Sequence, residues 1–458
     1  MTLAEAATPF TTVPPLIVPK VRTTPPVAGS KLRAIIAWIC STKLATDTIG
    51  STARCGIPAC PATPVKSTVT PLLPAMKVPG LVAIRRELHR IPELAYEEHK
   101  TSQMLGGTIE GLVRGRDDIE VATDRTAIIV HVPATAGGTA ALAGGRTIGW
   151  RADMDGLPVA EETGLPYASA HPGVMHACGH DVHMTCGLGI LEQILSRPQR
   201  NPFVFFFQPA EENISGAKQV CDAGLLDKYR ISEFYALHVS PEWDAGVIAT
   251  RPGTLMAGSS SVTVQFNGVA GHAGMPHRAV DPIVAVAAFI MQIQAMIARN
   301  FDPAVGGVVL TFGTISGGTV VNGVAASANV MGTLRFLDSA QHDLAFRRIG
   351  EIAEGVALAT GATVDVRLEP SPWVPVSNDP GITARFTDYV RSRPGAAFED
   401  APVTMASEDY GYILSRIPGM MFWLGTGHGH PLHSERFSPD ERVIEPAVRL
   451  IGDYLSQL

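Results

Sequence analysis

Phe203-Val204-Phe205-Phe206-Phe207, running into Gln208-Pro209-Ala210-Glu211-Glu212, is the stretch on which the fold turns. Five apolar residues in a row read as a buried strand, and the two acids that follow place adjacent carboxylates at the edge of its sheet. Working outward, strand-like runs recur at 126–132, 147–151 and 234–239, with a helix predicted near 183–195. A helical period over Leu81, Ile84, Leu88, Ile91 and Met104 precedes them. This alternation predicts an α/β fold, a mostly parallel sheet flanked by helices. Polar residues follow the strands: Asp153 and Asp155 after one, Glu211 and Glu212 after the next, His238 within the third. Ligands bind at that edge of open α/β sheets.

The pattern changes between about residues 251 and 370. A strand at 261–266, a helix at 281–299, strands at 308–315 and 328–336, a helix at 340–359 and a strand at 363–368 give the order β-α-β-β-α-β. That order is the ferredoxin-like split motif. A strand at 420–424 and a helix at 441–455 read as a return to the first sheet, so the predicted organisation is a catalytic domain in two parts, 78–250 and 371–458, around an inserted α+β domain, 251–370. Residues 1–77 differ from all of this, with 11 Pro, 17 Ser plus Thr, 8 Lys plus Arg and only two acids. A targeting extension, a disordered tail and a start assigned too early compete there. The last is favoured because Met76 directly precedes the first segment with a folded pattern.

Composition narrows the function classes. The 458 residues suit two or three domains, and 46% hydrophobic with 17% charged residues describes a chain able to bury a large core. With 36 Lys plus Arg against 43 Asp plus Glu, the net charge is -7, so no whole-protein field attracts nucleic acid. No stretch reaches the roughly 18 uninterrupted apolar residues of a membrane span, and no membrane partner is expected. Six Cys without a Cys-x-x-Cys pair predict no disulfide scaffold and fit a reducing, cytoplasmic setting.

The densest polar cluster, His176-Ala177-Cys178-Gly179-His180-Asp181-Val182-His183, holds five potential ligands in eight residues. Thiolate and imidazole together suit zinc and similar divalent ions, so Cys178 and His180 are candidate ligands. Of the adjacent carboxylates Glu211 and Glu212, one can ligate while the other stays free as a base; an acidic helix start favoured by the macrodipole is the plain alternative. His238 sits in an apolar strand, where a hydrogen-bonded core histidine is the default. His428, His430 and His433 crowd into one loop that also reads as a simple His-rich turn.

Arg151-Ala152-Asp153-Met154-Asp155-Gly156-Leu157-Pro158, His176 to His183, Phe207 to Glu212, Leu237-His238-Val239 and Gly271-His272-Ala273 through Pro276-His277 occur in the order of a known family. From about Val82 onward the chain resembles the dinuclear-metal aminoacylase branch of the zinc-dependent peptidases, which includes hippurate and auxin-conjugate hydrolases. More narrowly, 147–151, 233–238, Glu408-Asp409-Tyr410-Gly411-Tyr412 and 421–425 resemble the N-acetyldiaminopimelate deacetylase subfamily.

The resemblance implies two divalent metal ions, zinc or else manganese, cobalt or nickel, on Cys178, His180, Glu212, His238 and His433, with Cys178 bridging. It implies Glu211 as general base, Asp155 as a residue orienting a ligand, and His183 as support for the helix start. It further implies that the inserted domain makes a homodimer or higher homo-oligomer and closes over the substrate. His272 would stabilise the oxyanion, reaching the neighbouring subunit's site, while Asn322 and Arg335 would hold a substrate carboxylate; for Arg335 a surface salt bridge is the plain alternative. After Asn322 the family has Val-Ile and an acid, whereas this chain has Gly323-Val324-Ala325-Ala326. The activity implied is amide hydrolysis of a small N-acyl amino acid: N-acetyl-LL-diaminopimelate in bacterial lysine synthesis, or a hippurate-type substrate. A cysteine hydrolase built on Cys178 and a non-catalytic metal-binding protein are the rivals from other classes.

Overall fold

The computed structural model describes residues 80–136, 146–213, 216–302, 306–370 and 373–458. The irregular N-terminal segment read at 1–77 lies outside them. Eight strands form the main sheet, in the spatial order Glu120–Asp124, Ala127–Val132, Phe203–Gln208, Thr147–Asp153, Ile231–Ser240, Gly419–Gly425, Val247–Thr250 and Ala397–Asp400. The four central strands run parallel, as the alternation of elements predicts. Antiparallel pairings flank them on both sides, at Ala127–Val132 and at Val247–Thr250.

Burial of both faces explains the run of phenylalanines. Successive side chains of a strand point to opposite faces. Phe203, Phe205 and Phe207 therefore join Ile148, Trp150, Leu237 and Phe422 in the core on one face. Val204 and Phe206 join Ile129, Phe234, Ala236 and Met421 on the other. The helix His180–Leu195 starts three residues earlier than its sequence period suggests, and its first fifteen residues are buried. It packs against the sheet together with Leu81–Arg90 and Ile444–Leu455. Asp181 ties the first two of these helices, forming an ion pair with Arg85, whose Nε lies 2.7 Å away, and accepting from His89 Nδ1 at 2.7 Å.

A separate four-stranded antiparallel sheet has the order Val308–Gly317, Ser327–Phe336, Gly258–Asn267, Thr363–Pro370. One face carries the helices Pro282–Asn300 and Ser339–Thr360, whose Phe289, Ile293, Ile349 and Val356 fill a core with Val262, Val264 and Leu334. Asp281 and Asp338 cap these helices by accepting from the second and third amides beyond them. Pro282–Asn300 has the length and hydropathy of a membrane span, and Ala285, Val286, Phe289, Ile293 and Met296 on it are buried. The order β-α-β-β-α-β is as the sequence predicts. The chain then returns through Ala397–Asp400 and Gly419–Gly425 to the main sheet, so this α+β unit is inserted in an α/β fold.

A two-stranded ribbon, Gly271–His272 with Gly323–Val324, is too short to leave a sequence period. Close strand packing elsewhere depends on Gly149, where an added Cβ would lie 2.5 Å from the buried Phe234 ring. Gly149→Ala is expected to lose about 1–3 kcal/mol of stability through overpacking. The check is the midpoint of denaturant unfolding, and an unchanged midpoint would contradict this account of the packing.

Candidate metal centre

The ends of the central parallel strands share one edge, and the candidate residues gather there. Gly179 enters the helix at φ 85°, and a Cβ on it would lie 2.4 Å from Val239 Cγ2, so only glycine lets Cys178 and His180 approach that strand. His180 donates from Nδ1 to the Asp155 carbonyl oxygen at 2.9 Å. Its buried Nε2 has no hydrogen-bond partner. His238 donates from Nδ1 to the Val239 carbonyl at 2.7 Å, which leaves the Nε2 lone pair 3.5 Å from Cys178 Sγ. His433 is seated by its amide on the Ala177 carbonyl at 2.9 Å, and its Nε2 lies 3.3 Å from the same sulfur and 3.5 Å from Glu212 Oε1. Glu212 Oε1 is buried and otherwise unpartnered.

Two sets of ligand-type atoms, Cys178-His180-His238 and Cys178-Glu212-His433, each lie within 4.8 Å of one another and share the sulfur. All five side chains that the resemblance implies as ligands are thus together. The orphaned His180 Nε2 and Glu212 Oε1 fit a cation, because buried polar atoms otherwise find partners. Of the other ligand types in the sequence cluster, Asp181 is taken by Arg85 and His89, while His428 pairs with Asp244 at 3.2 Å. A cavity of about 640 Å³ opens between Tyr167, Asp244, His428 and Asp440, and none of the five residues lines it.

The Glu-Glu turn is held by carboxylates. Asp155 accepts the Glu211 amide at 3.1 Å and the Glu212 amide at 3.0 Å, and Glu98 accepts the Ala210 amide at 2.9 Å. Ala210 (φ 58°) and His433 (φ 65°) occupy the left-handed region, at roughly 1–2 kcal/mol for a residue with a Cβ. Asp155 therefore stands behind the His180 imidazole with its backbone oxygen and with Oδ1 3.3 Å from Nδ1, while its carboxylate also holds the turn. His183, in the first turn of the helix, donates from Nδ1 to Asp153 Oδ1 at 2.5 Å and accepts the Val239 amide at Nε2, anchoring the helix start to the ends of two strands.

Charge shapes each group. Burial, then Glu408, Glu212 and Asp409, raise the Glu211 carboxyl well above its usual range. Burial also raises Glu212 to about 7 against the pull of His180. Burial opposes the His180 imidazolium, yet Asp153 and Asp155 outweigh it and push the group up to about 10. Burial and the surrounding carboxylates drive the Cys178 thiol well up, whereas a nucleophilic cysteine needs the opposite. That environment opposes the cysteine-hydrolase reading. A cation on the sulfur supplies the missing driving force for thiol ionisation.

The inserted unit holds the remaining candidates. His272 and Asn322 meet on the short ribbon, where the Ala273 amide donates to the Asn322 carbonyl at 3.1 Å, and both side chains are exposed. Arg335 donates from Nη1 to Thr333 Oγ1 at 2.7 Å and to Ser259 Oγ, and among the described residues it has no acidic partner. Among the described residues, none of the three makes a hydrogen bond or ion pair with the metal-ligand cluster. Sequence reading gave no role to Arg151, Glu408 or Asp409, which are fully buried beside Glu211. Their signals are an arginine inside a buried strand, which needs a partner, and the place of 151–158 and 408–412 among the segments that carry the resemblance.

A model of peptidase family M20/M25/M40 matches residues 149–457. The chain belongs to that family. It is 44% identical over 375 residues to an N-acetyldiaminopimelate deacetylase of Streptococcus suis, covering 82% of this chain and 98% of that protein. A protein of the same name from Lactococcus lactis is 43% identical over 376 residues, covering 82% and 98%. A solved dinuclear metal-binding peptidase of the M20 family from Bacillus subtilis superposes with a TM-score of 0.71 at 27% identity, over 82% of this M20 chain and 97% of its own.

Burial lowers both His176 and His238 to about 3. Such groups stay neutral when folded but take up protons near 6.5 when unfolded, so their contribution is complete above that pH and is lost as the pH falls toward 3. His180 runs the other way, its contribution being lost as the pH rises through about 10. The slope that these two imidazoles give the stability of chelated, metal-free protein therefore lies between pH 6.5 and 4, opposed there by the raised carboxyls of Glu211 and Glu212, which take up protons first in the folded state. His176→Leu should flatten that slope by up to about 1.4 kcal/mol per pH unit, read from unfolding midpoints, and an equal slope in both proteins would refute the assignment.

Proposed function

We propose that this chain is a metal-dependent amidohydrolase that converts N-acetyl-LL-diaminopimelate to LL-diaminopimelate and acetate, a step of lysine biosynthesis. The observation that carries the reading is a carboxylate, Glu211, left free beside five converging ligand-type side chains, in a chain 44% identical to deacetylases of that name. Cys178, His180, Glu212, His238 and His433 would hold two divalent cations, zinc suiting the thiolate and imidazoles. Bound there, the cations would polarise the amide carbonyl and acidify the attacking water.

Glu211 accepts the proton of that water and returns it to the departing nitrogen, so that the amino acid leaves as an amine. A high proton affinity suits this double duty, and burial with three neighbouring carboxylates supplies it. Asp155 keeps the base in place through the two amides of the turn. On the inserted unit, His272 stabilises the developing oxyanion and Asn322 with Arg335 receives the substrate carboxylate; Arg335 supports this by having hydroxyl partners rather than an acid.

A second copy of the chain completes the assembly. The edge strand Val308–Gly317 exposes Val309 and Ile315, and the helix Pro282–Asn300 exposes Val284 and Met291, the kind of apolar surface a self-association uses. Sedimentation should give a dimer that Val309→Glu with Ile315→Glu converts to monomer, and a monomeric parent would reject this.

Metal-loaded protein should release amine from N-acetyldiaminopimelate at least tenfold faster, in kcat/KM, than from hippurate, and chelator should abolish both. Preference for hippurate would move the assignment to the broader aminoacylases. Glu211→Gln should lower kcat by more than about 10²-fold with metal content unchanged, and retained turnover would remove Glu211 as the base.

A further inference from the structure

Arg151 is fully buried at the edge of the main sheet and uses all three guanidinium nitrogens. Nε donates to Gln208 Oε1 at 3.0 Å and Nη1 to Asp153 Oδ2 at 2.7 Å. Nη2 donates to Glu408 Oε1 at 2.8 Å and Asp409 Oδ1 at 2.9 Å. Gln208 closes the ring by donating its amide to both Asp409 oxygens, at 2.9 and 2.8 Å. The backbone N–H of Asp409 is then directed at Glu211 Oε1, 3.4 Å away.

This arrangement works against repulsion. Oxygens of Glu211, Glu408 and Asp409 lie within 4.8 Å of one another. Like charges so close disfavour one another, and Arg151 is hydrogen-bonded to two of the three carboxylates while leaving Glu211 free. Asp409 is also held by Gln208 and by the Ala217 amide, which donates to its Oδ2 at 2.8 Å; the fork is what joins Asp153, Glu408 and Asp409 into one unit behind the base.

From this geometry we propose that Arg151 is the positioning residue for Glu211, holding the 408–409 corner so that the Asp409 amide orients the carboxylate that moves the proton. The proposal rests on the reading of Glu211 as the base. A lysine cannot replace the fork, because a single ammonium on a flexible stem cannot span four acceptors in one plane. A base displaced by about 1 Å forfeits on the order of 10²-fold in rate.

The experiment is a double-mutant cycle on the metal-loaded full chain with an N-acetyl amino acid as substrate. Arg151→Lys should lower kcat about 10–100-fold, with KM within about threefold and metal stoichiometry unchanged. In a Glu211→Asp background, where the carboxylate is already displaced, the same substitution should add less than about threefold. A kcat within threefold of the parent, or losses that multiply across the cycle, overturns the proposal. Should Arg151→Lys fail to fold or to load metal, Gln208→Met, which removes the Gln208 bonds to Arg151 and Asp409 and keeps the guanidinium, goes through the same cycle with the same two outcomes. Full turnover in Glu211→Gln overturns the base reading and the proposal with it, whereas multiplying losses with an inert Glu211→Gln overturn the proposal alone.

Discussion

Carboxylates crowded out of water at one edge of the main sheet are the constraint to which the rest of the structure responds. Asp153, Asp155, Glu211, Glu408 and Asp409 are all buried there, with Glu212 half-buried beside them. Each ionised carboxylate in such a place needs a partner, or it takes up a proton instead. Arg151 compensates part of the charge and His180 a further part. The remainder is what makes a cation-binding centre sensible: divalent ions on Cys178, Glu212 and the imidazoles would offset the excess that protein cations leave.

The same edge explains the division of labour among the acids. Asp153 is committed to Arg151 and His183, and Asp155 to two backbone amides. Glu408 and Asp409 are committed to the guanidinium. Glu211 alone of the buried five accepts nothing shorter than a 3.4 Å amide contact, so it is the carboxylate with capacity left for a proton. Identical side-chain chemistry thus separates into scaffold and base through hydrogen bonding alone.

Much of this was legible in the chain. Phe203 to Phe207 announced a strand covered on both faces because only such a strand can be apolar at every position, and the inserted unit announced itself by six elements in a recognisable order. The ribbon pairing His272 with Gly323 was not legible, since two residues carry no period. The unit of Arg151, Glu408 and Asp409 is hidden for a different reason: the arginine lies 257 and 258 residues from the two adjacent acids, and nothing local marks them as its partners. For His183 and Asp155 the sequence names a hydrogen-bonding group without naming the atoms it meets, and the structure supplies them: Asp153 and the Val239 amide for one, His180 and the amides of the Glu-Glu turn for the other.

Residue types and their periodicity determined which segments become strands and helices, which ligand types the chain possesses, and that they fall near strand ends. Those are local properties, set by side-chain apolarity and backbone preference. Only the tertiary structure decided which ligands converge: the parallel register brings the ends at Asp153, Gln208 and His238 to one edge, and the Ala177–His433 backbone contact delivers the last imidazole from the far end of the chain. Through-space distance and desolvation select among equivalent side chains, and neither is a property of a residue considered alone.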